Sequence, residues 1–158
     1  MSTSGLRPAR PVSVSRHETS EIMMPQHANN LGHVFGGVVL AMMDSTAAIA
    51  AIRHARINMV TASIDRVDFR ERIPVGALVT CAATVDFVGN TSMDISVEVY
   101  SEQVSTGERR HTHTAHVVFV AIDEHGKPKR VPRLVPESAD ERERYSRAEA
   151  HRQRQKRA

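Results

Sequence analysis

Hydrophobic and polar positions divide the chain into one long apolar block and a series of alternating runs. Residues 36–56 read GGVVLAMMDSTAAIAAIRHAR, rich in the Ala, Met and Leu that favour helix and longer than a typical strand. Apolar side chains occupy nearly the whole circumference, which predicts a helix buried on most sides. At about 1.5 Å per residue it would run roughly 30 Å, enough to cross a sheet. Around it the pattern has a period of two. Residues 13–24 make a weak first strand stopped by Pro25. Residues 59–69, 78–88, 92–100 and 110–122 alternate more clearly, with Ile95, Val97 and Val99 on one face against Asp94, Ser96 and Glu98 on the other. Gly89-Asn90 is a hairpin signal, and Pro74, Gly76 and Gly107 mark further turns. The expected order is strand, buried helix, then four consecutive strands joined by short turns. That is an α+β fold with one helix packed on an antiparallel sheet.

The ends differ in character. Residues 1–12, rich in Ser, Pro and Arg, read as a flexible arm. Residues 13–131 form the domain, and residues 132–158 a basic tail. Within the tail, Ser138 and Glu141 make a capping-box pattern, and Asp140/Arg144 and Glu143/Arg147 are favourable i,i+4 pairs. A short exposed helix that frays toward its end is expected, with no chemistry of its own.

Composition narrows the function. A chain of 158 residues with 41% hydrophobic content suits one domain with a full core. Trp is absent and aromatics make up 4%, so a stacking platform for nucleic acid is poorly provided for. The net charge of +3 is concentrated in residues 127–158, as expected of a solvated basic helix. No nucleic-acid partner is expected. Cys81, the single cysteine, sits in an alternating apolar run and reads as a small buried hydrophobe. No stretch reads as a secretory leader, and Asp44 and Arg53 interrupt the best candidate for a membrane span. The default expectation is a cytoplasmic protein without membrane insertion.

Chemistry concentrates at the helix entry. Asp44 places a carboxylate in a run of Val, Leu, Met and Ala, which is costly unless the group is paired or has a task. It either hydrogen-bonds at an interface or performs catalysis. Gly36 and Gly37 open the helix with uncovered N–H groups suited to negative charge. Asn29 and Asn30 precede them in a loop where Asn is also simply a good turn residue. His111 and His113 are expected to share a strand face, with His116 on the other; no Asp, Glu or Cys companion is evident, so no metal site is expected.

The stretch Asn29-Asn30-Leu31-Gly32-His33-Val34-Phe35-Gly36-Gly37, followed six residues later by Met43-Asp44, resembles the acyl-CoA thioesterases of the hotdog superfamily. It is similar to the small bacterial enzymes and to each half of the cytosolic long-chain acyl-CoA hydrolases of animals. RHA at residue 53, VTASIDRVDF at 60, IPVG at 73, TSM at 91, TGERR at 106, FVAID at 119 and LVPES at 134 extend the likeness over residues 22–147. The resemblance implies a hotdog fold, an antiparallel sheet wrapped around the long helix. It also implies a homo-oligomer, a dimer at least and often a trimer of dimers, acting on acyl-CoA without a cofactor. Asn29 and Asp44 match the catalytic pair, supplied by opposite subunits. Chemically, Asp44 would serve as general base or as nucleophile, and Asn29 would orient the water or bind the oxyanion. The Gly36 and Gly37 N–H groups at the helix start are candidate oxyanion donors. Thr91, Ser92, Asn90 and Arg66 are the candidate CoA contacts. Where the family carries a basic residue before the T-S-M motif this chain has Asn90, so the phosphate contact falls to Arg66, Arg70, Arg72 or the basic tail. Two other readings remain: a hotdog hydratase or dehydratase using His33, and a non-catalytic acyl-CoA-binding module.

Overall fold

The computed structural model describes residues 7–158. The apolar block is helix α1, Gly36–Ala55. Its buried residues, Val39, Met42, Met43, Thr46, Ala47, Ala50, Ala51, His54 and Ala55, fall at helical spacing on one stripe. Small Ala side chains along that stripe let the helix lie close on the sheet. Within one chain the burial is therefore one-sided, not all round: Ile49 and Ile52 are 38% and 47% exposed. By length, and with a mean hydropathy of 1.3 over its most apolar window, α1 is apolar enough to cross a bilayer, so the expectation that no stretch qualifies does not hold. Here that helix serves as the core element, packed against five strands.

Those strands are β2 (His17–Ile22), β3 (Met59–Ile64), β4 (Leu78–Val88), β5 (Ser92–Gln103) and β6 (Glu108–Ala121). They form one antiparallel sheet in the order β2-β4-β5-β6-β3. Only β4, β5 and β6 meander through tight turns. The segment after β3 does not turn back onto it; it runs through residues 65–77 to the opposite side of β5 and β6, leaving β3 paired with β6 at the sheet edge. The strand expected at 59–69 thus stops at Ile64, after a bulge between Thr61 and Ser63. The apolar faces of β4, β5 and β6 supply Val79, Cys81, Val85, Ile95, Val97, Val99, Val117 and Phe119 to the core. Burial pushes the Cys81 thiol up to about 12, in keeping with a buried hydrophobe.

Ala9–Pro11, within the stretch read as an arm, form strand β1, which pairs in parallel with β7 (Arg133–Val135). The beginning of that arm, residues 1–6, lies outside the described residues. The tail forms helix α2, Ala139–Arg157, with the expected capping box: Glu141 N–H donates to Ser138 Oγ at 3.1 Å, and Ser138 N–H to Glu141 Oε2 at 3.2 Å. It continues to Arg157 instead of fraying, because its inner face docks on the outside of the sheet. Tyr145 meets the Phe87 ring at 4.9 Å between centroids, and Arg152 grips Asp94 through two hydrogen bonds of 2.8 Å. Arg144 lies over Ser96 at 3.2 Å and Asp86 at 3.8 Å.

Asp86 is buried at this junction. Burial pushes its carboxyl from the ordinary 3.8 up to about 6, against the opposing pull of Ser96 and Arg144. The folded chain therefore holds this proton more tightly than the unfolded chain, and stability falls as pH rises through that interval. A shift of this size corresponds to roughly 2–3 kcal/mol. Asp86→Asn should flatten the decline in urea-unfolding stability between about pH 4 and 6; a variant keeping the wild-type slope would locate the effect elsewhere.

Candidate active site

Asp44 stands in the third turn of α1, partly buried, on the side facing edge strand β3. Thr61 of that strand donates its hydroxyl hydrogen to Asp44 Oδ1 at 2.7 Å. One carboxylate oxygen is thus fixed, while Oδ2 makes no hydrogen bond among the described residues. Since among the described residues β3 pairs only with β6, the carboxylate sits beside a strand edge left open within them. Thr61 was not singled out from the sequence. The available signal was a polar residue inside the alternating VTASI run of the family-like segment.

The loop before α1 is organised by Asn29. Its Oδ1 accepts from the N–H groups of Leu31 at 2.9 Å and His33 at 3.2 Å, an Asx-type turn. Asn29 N–H donates to His33 O at 2.7 Å, and Gly32, at φ 80°, carries the chain through the left-handed step of the turn. Both readings of Asn29 are therefore compatible in one side chain: the amide oxygen builds the loop, and the amide nitrogen, without a partner among the described residues, is left as a donor. Asn30 is exposed and has no such role.

Phe35 caps α1 without a side-chain cap bond, so the first N–H groups of the helix, Gly36 and Gly37 included, keep their donor capacity. Close packing explains both glycines in part. A methyl group on Gly37 would overlap the Phe35 ring, and one on Gly36 would meet the Phe69 ring at 3.4 Å. Phe35 and Phe69 are 57% and 44% exposed within one chain.

The CoA candidates separate. Asn90, Thr91 and Ser92 share the β4–β5 turn, where Gly89 N–H donates to Ser92 O at 2.8 Å. Arg66 is not brought to that turn. It follows Asp65, whose N–H bonds His116 O, several residues along the sheet, and its guanidinium pairs with Asp68 at 2.9 Å. The histidines also differ from the expected arrangement. A bulge between Val99 and Tyr100 puts His113 opposite Val99 and His111 opposite Tyr100, so the two face opposite sides of the sheet. His111 meets Glu98 at 2.6 Å; His113 packs on Phe69 at 5.3 Å, and burial lowers its pKa. His33 Nδ1 is buried without a hydrogen-bond partner among the described residues.

Comparison with known proteins bears on the fold and the family. The thioesterase superfamily profile matches residues 31–108. YkhA of Bacillus subtilis, named an acyl-CoA thioester hydrolase, is 42% identical over 78% of this chain and 72% of its own length. A hexameric acyl-CoA thioesterase solved in its apo form superposes with a TM-score of 0.89 at 40% identity, covering 95% of this chain and 96% of that one. The acyl-CoA hydrolase of Staphylococcus aureus, solved with butyryl coenzyme A and coenzyme A, gives 0.86 at 34% identity over 94% of this chain and 91% of its own. That hydrolase has also been solved with an asparagine, an aspartate or a threonine replaced by alanine. The chain belongs to the thioesterase superfamily, and its sheet and central helix form the hotdog fold. It matches the mouse cytosolic acyl coenzyme A thioester hydrolase at 36% identity over 85% of its own length, but spans only about a third of that longer protein, 36%.

The loop assignment is open to test without activity. In Asn29→Ala the Leu31 and His33 amides lose their acceptor and should exchange with solvent faster, whereas Asn29→Asp should keep them protected. Equal protection in the Ala variant, read by hydrogen-exchange NMR, would remove Asn29 from the turn.

Proposed function

We propose that the protein is an acyl-CoA thioesterase whose Asp44 activates water against the thioester carbonyl, with Asn29 of a second subunit completing the site. The single observation that carries this reading is the Thr61–Asp44 hydrogen bond at an unpaired strand edge. It holds a carboxylate oxygen still while leaving the other available to a water molecule. As the water oxygen bonds to the carbonyl carbon, Asp44 takes its proton; the tetrahedral oxyanion then collapses, expelling the CoA sulfur, and the proton follows it. A general base of this kind contributes about 10²–10⁴-fold.

The oxyanion needs donors. The N–H groups of Gly36 or Gly37 at the head of α1 and the Nδ2 group of Asn29 are suited to it, each worth roughly 3 kcal/mol of transition-state stabilisation. Thr91, Ser92 and Asn90 are assigned to the CoA portion, and Arg66 falls outside that group within one chain.

Pairing of two copies through β3 is supported by the apolar surface one chain leaves uncovered. Val60 and Ile64 on β3, with Ile49 and Ile52 on α1, are each 37–47% exposed. An open edge beside such a surface is suited to extending the sheet into a second copy. The hexameric relative supports a homo-oligomer, and a trimer of dimers is the arrangement proposed.

Purified protein should release free CoA from an acyl-CoA series, measured by thiol trapping. Asp44→Ala should lower kcat at least about 10²-fold with the fold intact. Asn29→Asp, which keeps the loop but loses the donor, should lose about as much as one oxyanion contact provides. Full turnover by the Asp44 variant would exclude the mechanism. Single turnover in ¹⁸O-water should place label in the released acid and none in the Asp44 carboxyl.

A further inference from the structure

We propose that Arg152, near the end of α2, is a positioning residue for the substrate: it fixes the Ser92 side chain in the β4–β5 turn and so sets the affinity for acyl-CoA. The inference rests on the acyl-CoA reading above, and it gives a task to a helix that carries no reacting group. Two matched rows of side chains bring Arg152 to the turn. Arg144, Ala148 and Arg152 stand four residues apart and share one stripe of α2. Ser96, Asp94 and Ser92 stand two apart and share the outer face of β5. Eight residues of helix rise about 12 Å and four residues of strand about 13 Å, so the rows stay in step. Arg144 accordingly donates to Ser96 Oγ at 3.2 Å, and Arg152 to Ser92 Oγ at 2.7 Å. The helix start pins this register through the Ser138–Glu141 capping box and through Arg16, which pairs with Glu141 at 2.9 Å.

Arg152 engages both arms of the hairpin. Its Nε and Nη2 each donate to one carboxylate oxygen of Asp94 at 2.8 Å, a fork that Arg can form and Lys cannot. The guanidinium also stands 5.1 Å from the centroid of the Phe87 ring. Nη1 is left for Ser92. The Arg152 and Asp94 side chains are only 19% and 15% exposed, which shields the pair as an ordinary surface ion pair is not. Other contacts to the turn go to its main chain or to Asn90. Arg7 Nη2 donates to Gly89 O, Val131 N–H to Asn90 O, Ala121 N–H to Thr91 O and Arg130 Nε to Asn90 Oδ1. Among the described residues, Arg152 alone bonds the Ser92 hydroxyl. Because Oγ accepts from a cation there, its own hydrogen is directed elsewhere, and half-buried Ser92 is presented as a donor. An amide carbonyl of the pantetheine arm is an acceptor of the right kind.

Gly89 is the complement of this contact. A Cβ at residue 89 would stand 2.7 Å from Arg152 Nη1, the atom that serves Ser92. Its next neighbours, Ser92 Oγ and Ser92 O, would lie at 3.5 and 3.6 Å, which is ordinary contact. Gly89 is not in the left-handed region, so its backbone accepts alanine. Alanine there displaces the guanidinium and little else.

The test uses the full-length Arg152→Lys, Arg152→Ala and Gly89→Ala variants, and the last two combined. Lys keeps a positive charge opposite Asp94 and the helix docked, but one ammonium cannot serve Asp94 and Ser92 together. Arg152→Lys and Gly89→Ala should each raise KM for acyl-CoA about tenfold at unchanged kcat, the loss of one hydrogen bond held by a charge. A brace that served stability alone would shift the urea midpoint and leave KM in place. In the Arg152→Ala background Gly89→Ala should cost nothing further, because the atom it displaces is gone. Wild-type KM in both single variants, or effects that multiply in the combined one, overturns the assignment. If Arg152→Ala does not fold, the Lys and Gly89 variants decide. Calorimetry with CoA keeps this inference apart from the hydrolase reading. A wild type that binds CoA without hydrolysing acyl-CoA overturns that reading, and about tenfold weaker CoA binding by Arg152→Lys then still upholds Arg152. A wild type that hydrolyses while both variants keep its KM overturns Arg152 alone. One that neither binds nor hydrolyses overturns both.

Discussion

One hydrogen bond sets the logic of this molecule. A carboxylate placed two turns into an apolar helix has little to gain from its neighbours, and Thr61 is the partner that fixes it. For that contact to form, β3 must lie beside the middle of α1 and not next to β4. The chain achieves this by sending β3 to the free side of β6 and returning through a 13-residue link, residues 65–77. The sheet then offers a bare edge where the acid is. An edge strand is normally a liability; in the function proposed above, the same edge is where a second copy would complete the site.

The rest of the site follows from backbone geometry more than from charge. Asn29 spends its oxygen on the loop and keeps its nitrogen, which makes it a donor by construction. Gly36 and Gly37 admit the Phe69 and Phe35 rings, and those rings stand largely exposed in the single chain. An exposed aromatic pair around a helix N-terminus is what an acyl chain or a neighbouring subunit would cover. On the opposite side of the sheet, α2 is held by ion pairs over Asp86 and Asp94. The tail is thus a structural element of the outer face, and its bracing of the β4–β5 turn through Arg152 links it to the proposed CoA path.

Much of this was legible in the residues. The helix, the β4–β5 hairpin at Gly89-Asn90 and the Ser138–Glu141 capping box are local signals, set by periodicity, turn chemistry and side-chain reach. Their boundaries in the structure lie within a few residues of expectation. What was not legible is nonlocal. Period-two alternation in residues 59–64 says that a strand forms there and nothing about which strand it joins, so Thr61 could not be matched to Asp44. A single-residue bulge reverses the faces of His111 and His113, and bulges leave no mark in alternation alone. One-sided burial of α1 was missed for a related reason: an apolar circumference looks the same whether the second half is covered by this chain or by another.

The central claim is that an acid from one chain and an amide from another make one site. Its most direct test is subunit complementation. Asn29→Ala and Asp44→Ala chains, each inactive as a homo-oligomer, are co-expressed with different affinity tags and the mixed species is purified. A shared site predicts that hybrids regain a substantial fraction of wild-type acyl-CoA hydrolysis, because one of the two sites in each hybrid pair again holds both residues. Hybrids that form in the expected amount and remain as inactive as their parents would contradict it.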